Sequence, residues 1–164
     1  MGLQQQVGLH YSPGIAGDRA SRNPSIYTPY NPVATSEVTV GQFVWPGTYE
    51  FTEAQASSSS AVQPLGLVER VLVNYNYNLT SPGTMVLAAG TVLTVARKGD
   101  YFVKPTAAVT IGQKVFASLT DGSISGADTG ATVDGAVETD WVVKNYDSVS
   151  GIATISNWDF LSAS

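Results

Sequence analysis

The chain has 164 residues, no cysteine, a net charge of −5, 13% charged residues and 43% hydrophobic residues. That length accommodates one cored domain with an appended arm, and the missing cysteines exclude a disulfide framework or a thiolate metal site. Residues 1–120 carry seven of the eight basic residues and six of the thirteen acids, while 121–164 carry Lys144 against Asp121, Asp128, Asp134, Glu138, Asp140, Asp147 and Asp159, an acidic end that argues against nucleic-acid binding.

The start, Met1-Gly2-Leu3-Gln4-Gln5-Gln6, lacks the basic and apolar regions of a signal peptide. No apolar run approaches membrane-spanning length, so the expected product is made in the cytosol and stays soluble or joins an assembly there. Residues 1–36 hold Pro13, Pro24, Pro29 and Pro32, half of the eight prolines, with Tyr11, Tyr27 and Tyr30 among them. Each proline removes a backbone donor and biases its predecessor toward extended geometry. The segment reads as an extended arm that orders against a partner, because disordered tails are usually poor in aromatics. Asp18, Arg19 and Arg22 form a charged cluster within it, read either as solvated charge or as guanidinium anchors for a partner's carboxylates. Ile15, Ile26, Tyr27 and Tyr30 surround the two arginines with the composition of an interface centre.

Beyond the arm, residues 38–51 read as strand with Trp45-Pro46-Gly47 as a turn or bulge, and residues 54–61 as a serine-rich loop. The one weak helix candidate lies near Ala54 or Pro64. Residues 67–79 resume strand, with Tyr75 and Tyr77 on one face, and Thr80-Ser81-Pro82-Gly83 turns the chain into Met85-Val86-Leu87. Three strand-like runs follow, at 91–96, 101–104 and 114–119, separated by turn residues. Asp121-Gly122 is a hairpin signal. Turns fill 120–135, and strands at 142–146 and 152–158 close the sequence. Many short strands without an internal repeat indicate an all-β sandwich, jelly roll or barrel, divided as an arm over 1–36 and a β-rich body over 37–164.

Little in this framework carries chemistry. His10 is the single histidine, and alone in a proline-rich arm it is a poor general base. Gly122-Ser123-Ile124-Ser125-Gly126 resembles a nucleophile elbow, but the required serine position holds Ile124. No phosphate-binding glycine pattern appears. Asp121, Asp128 and Asp134 offer oxygens for a hard cation, but their spacing fits no calcium loop and they read as solubilising turn residues. No metal and no cofactor are expected. Trp45, Tyr75 and Tyr77 fit either sugar stacking or packing at a subunit contact, and packing carries more weight.

The stretch Pro13-Gly14-Ile15-Ala16-Gly17-Asp18-Arg19-Ala20-Ser21, with Asn23-Pro24 after it, resembles the N-terminal arm of capsid cement (decoration) proteins of tailed bacteriophages. Thr39-Val40-Gly41-Gln42-Phe43-Val44-Trp45 is similar to that family, as is Lys98-Gly99-Asp100-Tyr101-Phe102-Val103 continuing to Gly112-Gln113-Lys114-Val115-Phe116-Ala117. Ala153-Thr154-Ile155-Ser156-Asn157-Trp158 is similar to its last strand. The resemblance implies a jelly-roll-like sandwich or barrel, a homo-oligomer (a trimer, or a dimer in some members) and attachment to the outer surface of a virion shell built of major capsid protein, without nucleic acid or membrane. The arm residues Ile15, Asp18, Arg19, Arg22, Ile26, Tyr27 and Tyr30 are the expected shell contacts, and Trp45, Tyr75 and Tyr77 the expected contacts between copies. Two rivals stand beside it. One is a carbohydrate-binding β-sandwich of a phage tail or fibre, stacking sugars on Trp45 and Tyr75. The other is a small β-barrel enzyme, which a single histidine disfavours.

Overall fold

The computed structural model describes residues 13–49, 52–71 and 84–158. Thirteen strands follow one another: β1 (Ile26–Tyr27), β2 (Val33–Ala34), β3 (Val38–Thr39), β4 (Phe43–Pro46), β5 (Glu53–Gln55), β6 (Gly66–Val68), β7 (Val86–Leu87), β8 (Val95–Lys98), β9 (Asp100–Val103), β10 (Lys114–Ser118), β11 (Ile124–Ala127), β12 (Ala136–Asp147) and β13 (Ile152–Ser156). No helix occurs among the described residues; Ala54, the helix candidate, lies in β5 and Pro64 in a loop.

The strands form a six-stranded sheet ordered β1-β8-β6-β4-β5-β2, a five-stranded sheet ordered β11-β10-β12-β13-β9, and the pair β3-β7. The five-stranded sheet is antiparallel throughout, whereas β2 joins β5 in parallel. The fold is all-β with layered sheets and no closed barrel.

The layering explains the sequence pattern of β4. One core joins Phe43, Trp45, Leu67 and Ala96 of the six-stranded sheet to Tyr101, Val115, Trp141 and Ile155 of the five-stranded one. A second core packs Val44, Val68 and Val95, on the opposite face of the six-stranded sheet, against Val38 and Leu87. The middle sheet is thus covered on both faces, so its strands read as continuous apolar runs instead of alternating ones. Trp141 sits at the centre of the first core, edge-on to Phe43 (ring centroids 6.3 Å apart) and Tyr101 (6.0 Å). Such pairs add about 0.5–1.5 kcal/mol beyond area burial.

The expected turn at Trp45-Pro46-Gly47 falls one step later. Trp45 and Pro46 are the end of β4, paired with Gln55 and Ala54, and the reversal begins at Gly47. Asp121-Gly122 does turn the chain between β10 and β11, with Ala117 opposite Ile124. Gly122 has φ +72°, and a Cβ there would lie 2.0 Å from the carbonyl oxygen of Phe43. The Phe43 amide in turn donates to the Gly122 carbonyl at 3.0 Å, so this turn clips the two large sheets together.

Candidate functional site

Residues 13–36 run extended along the body, as their prolines demand, and they line sheet edges. The Gly17 amide donates to the Phe102 carbonyl at 2.7 Å, the Phe102 amide to Asp18 at 2.9 Å, and the Ala20 amide to Asp100 at 2.8 Å. This stretch covers the β9 edge of the five-stranded sheet. Further on, β1 and β2 are the two outer strands of the six-stranded sheet. Gly17 (φ +89°) makes the sharp turn that starts this path, and a Cβ there would meet Val40 at 2.4 Å.

Two acid–base dipeptides hold the segment down. Arg70 donates from Nε and Nη2 to the two carboxylate oxygens of Asp18, at 2.7 and 3.0 Å. Arg19 Nε donates to Glu69 Oε1 at 3.2 Å, and its Nη2 hydrogen-bonds the Tyr27 hydroxyl. The Arg19 guanidinium also lies 5.6 Å from the centroid of the Tyr27 ring. The Tyr101 hydroxyl donates to Glu69 Oε2 at 2.9 Å, and burial, followed by hydrogen bonding with Tyr27 and the Glu69 charge, pushes its pKa well above the usual phenol range.

Farther along, Asp100 Oδ2 accepts from Ser21 Oγ at 2.5 Å and Asn23 Nδ2 at 2.6 Å. Burial alone would raise the Asp100 pKa, but hydrogen bonds from Ser156, Ser21 and Asn23, with the Lys144 charge, outweigh it and hold the carboxyl below its ordinary value. Trp158 Nε1 donates to the Pro24 carbonyl at 2.9 Å.

Asp18 and Arg19 thus spend their charge within the chain, and Tyr27 and Tyr30 are half-buried. Ile15 (52% exposed), Ile26 (47%) and Arg22 face solvent, and Arg22 has no polar partner among the described residues. Trp45, expected to touch a second copy, is a core side chain at 1% exposure. Its Nε1 donates to the Val62 carbonyl at 2.9 Å, and it has no face left for a subunit contact or a sugar. Tyr75, Tyr77 and His10 lie outside the described residues.

The sequence reading missed Glu69, Arg70, Tyr101 and Asp100 as the arm's anchorage. One signal was there: in a chain so poor in charge, Asp18-Arg19 and Glu69-Arg70 are matched dipeptides that pair crosswise.

Beside this segment lies a groove between the sheets. One hollow of about 420 Å3 is lined by Ile26, Tyr27, Arg97, Lys98, Asp140 and Asn157. A second of about 210 Å3 reaches Gln63, Pro64, Leu65 and Gly66 and shares Arg97, Asp140 and Asn157 with the first. Asn157 braces the wall, accepting from the Gly99 amide at 2.9 Å and donating to the Arg97 carbonyl at 2.7 Å.

The remaining candidates are structural. Asp121 accepts from the amide and hydroxyl of Ser123 at 3.1 and 2.7 Å, which makes that pair a turn. Among the described residues, no group of three or more His, Cys, Asp or Glu side chains is placed to hold a metal. No helix among them is long and apolar enough to cross a membrane.

No curated protein matches the chain. Among solved structures, a chain from the capsid of Myoviridae phage XM1 superposes with a TM-score of 0.66 at 20% identity, covering 98% of this chain and 100% of that one; at that identity the likeness establishes the fold. The family model of the XM1 gp53 minor capsid protein matches residues 4–157. With almost the whole chain inside that match, the chain belongs to the XM1 gp53 minor capsid protein family, a phage capsid-associated structural protein.

Proposed function

We propose that this protein is a cement protein. It binds the outer surface of an assembled phage capsid as a homo-oligomer, in the form of a trimer, and clamps neighbouring major capsid protein subunits without catalysing a reaction. The observation that carries this reading is the N-terminal segment. It is lashed to the body by Asp18–Arg70 and Arg19–Glu69, yet it presents Ile15, Arg22 and Ile26 outward. A surface held rigid before contact loses little entropy on binding, and exposed isoleucines around a free guanidinium suit an interface centre. In this reading Asp18, Arg19, Tyr27 and Tyr30 shape the arm, while Ile15, Arg22 and Ile26 meet the shell.

A cement protein acts by mass action. Binding the assembled shell and not its free subunits shifts assembly by RT ln(1 + [L]/Kd). Repetition over symmetric sites multiplies a modest affinity.

Purified protein added to shells that lack it should co-sediment with them and raise their disruption temperature. Light scattering of the free protein should give three times the monomer mass. Shells that neither retain the protein nor gain thermal resistance would remove the cement reading, and a monomeric mass at micromolar concentration would remove the oligomer.

A further inference from the structure

Two peptide bonds in the chain join Asp to Gly, at Asp121-Gly122 and Asp134-Gly135, and none joins Asn to Gly. In such a pair the glycine nitrogen can reach the aspartate side chain, because no Cβ on the glycine obstructs the approach. The two pairs share the same local chemistry, and the fold treats them oppositely.

Asp121-Gly122 is restrained at each atom that this attack needs. The Gly122 nitrogen, which would be the nucleophile, donates its hydrogen to the Ser118 carbonyl at 2.9 Å. The Asp121 carboxylate, which would be the electrophile, accepts from the Ser123 amide and hydroxyl at 3.1 and 2.7 Å. Burial would raise the Asp121 pKa, but the Ser123 bonds outweigh it and hold the carboxyl below its ordinary value. The group is thereby kept ionised, the less electrophilic form. Gly122 is also buried against the Phe43 backbone, which leaves the peptide no room to swing.

Asp134-Gly135 has none of these restraints. The Ala136 amide donates to the Val133 carbonyl at 3.1 Å and the Leu119 amide to the Gly135 carbonyl at 2.8 Å, which closes a turn around the pair. The peptide group between the two residues makes no hydrogen bond among the described residues, and neither does the Asp134 carboxylate. Both residues are exposed, and a Cβ on Gly135 would meet nothing within 4 Å. Turns of types I and II keep the same closing bond and differ in the orientation of this central peptide, so it can rotate while the turn stays closed.

We propose that Asp134-Gly135 is a site of spontaneous aspartate isomerisation and that Asp121-Gly122 is protected from it. The Gly135 nitrogen gives up its proton and bonds to Asp134 Cγ, a carboxyl oxygen departs as water, and a cyclic imide closes. Water then reopens the ring. Addition at Cγ restores aspartate; addition at the main-chain carbonyl leaves isoaspartate, with the backbone routed through the side-chain carbons. The water lost is regained, and no oxidant or cofactor takes part. The lengthened backbone falls immediately before β12, which starts at Ala136.

The full chain, aged at neutral pH, is digested and its peptides are read by electron-transfer fragmentation and by methyl transfer from an isoaspartate-specific methyltransferase. Isoaspartate should form at residue 134 about tenfold or more faster than at 121, where the Gly122 and Ser123 hydrogen bonds must open first. In denaturant the two rates should converge, because only the fold separates the sites. Asp134→Glu, which would have to close a larger and disfavoured ring, should keep the parent melting temperature and lose most of the methyl acceptance. Equal rates in the native chain would overturn the inference, as would a native residue 134 that stays unmodified while the denatured chain reacts. A gap that persists in denaturant would assign the difference to flanking sequence, and undiminished methyl acceptance in Asp134→Glu would place the reaction elsewhere; either result would overturn it too. The cement reading stands or falls separately, since no shell enters the measurement.

Discussion

Arg70 grips Asp18 through two parallel N–H···O bonds, Nε to Oδ1 at 2.7 Å and Nη2 to Oδ2 at 3.0 Å, between residues 52 positions apart. The two side chains are 28% and 30% exposed, so solvent screens the pair in part. Bidentate geometry places it at the upper end of surface ion pairs, about 1 kcal/mol. A double-mutant cycle with Asp18→Ala and Arg70→Ala should return a coupling of that size, and each single change should lower Tm by about 2–4 °C. A coupling indistinguishable from zero would make the pair decorative.

Gly122 and Gly112 both have positive φ, +72° and +92°, but differ in their surroundings. An added Cβ at Gly122 would overlap the Phe43 carbonyl oxygen, whereas at Gly112 it would meet nothing within 4 Å. Gly112→Ala should therefore cost about 1 kcal/mol, the backbone penalty alone. Gly122→Ala should cost about 3 kcal/mol or more, since the clip between the sheets must open. Denaturant midpoints measure both, and equal losses would mean that the turn tolerates displacement.

The Asp100 carboxylate, held below its ordinary pKa by Ser156, Ser21 and Asn23 against the opposing effect of burial, should make the arm sensitive to acid. A group whose pKa is lower in the folded state contributes stability above its unfolded pKa and loses it as pH falls through the folded value. Asp100→Asn should thus be less stable than the parent at pH 7, by about 1 kcal/mol after allowance for partial exposure. The difference should shrink as pH falls below the ordinary carboxylate value of 3.8. Parallel melting curves at pH 7 and pH 3 with a constant offset would refute the assignment.

Attachment through Ile15, Arg22 and Ile26 should resist salt. At about 1 M salt the Debye length is near 3 Å, and exposed ion pairs are nearly silenced. Most copies should nevertheless stay on the shell, while Arg22→Ala should weaken binding by about 2 kcal/mol or more if its partner is desolvated in the contact. Sedimentation in a salt series, with and without the substitution, decides it; release at moderate salt with Arg22→Ala still bound would reverse the mechanism.

The sequence announced strands wherever alternation met clear turn residues: β9, β10 and the Asp121-Gly122 hairpin all fall where the pattern put them. Which strand pairs with which was not legible. The runs at 91–96, 101–104 and 114–119 look like neighbours, yet β8 joins one sheet, β9 and β10 join another, and none pairs with either of the others. Partner choice depends on chain returns that no local window records, from 18 residues at Ser118↔Ala136 to 72 at Ile26↔Lys98. Trp45 was misplaced for a related reason. In a sheet buried on both faces, period two no longer separates inside from outside, so an apolar run does not say which aromatic is spare. At the site, prolines and tyrosines set residues 13–36 apart in the sequence, but the two charged side chains that hold Asp18 and Arg19 lay far along the chain at Glu69-Arg70.

The bonding of residues 17–20 to residues 100–102 also sets a timetable. Residues 17–20 must wait until some eighty later residues exist, roughly 4–16 s at 5–20 residues per second. Through that interval each nascent copy carries an unplaced N-terminal segment, and each finished neighbour that has not yet closed displays the same vacant seat. Segments that make identical contacts in cis and in trans are the raw material of exchange between copies. The stitching that seals one molecule therefore also has the geometry that such an exchange uses.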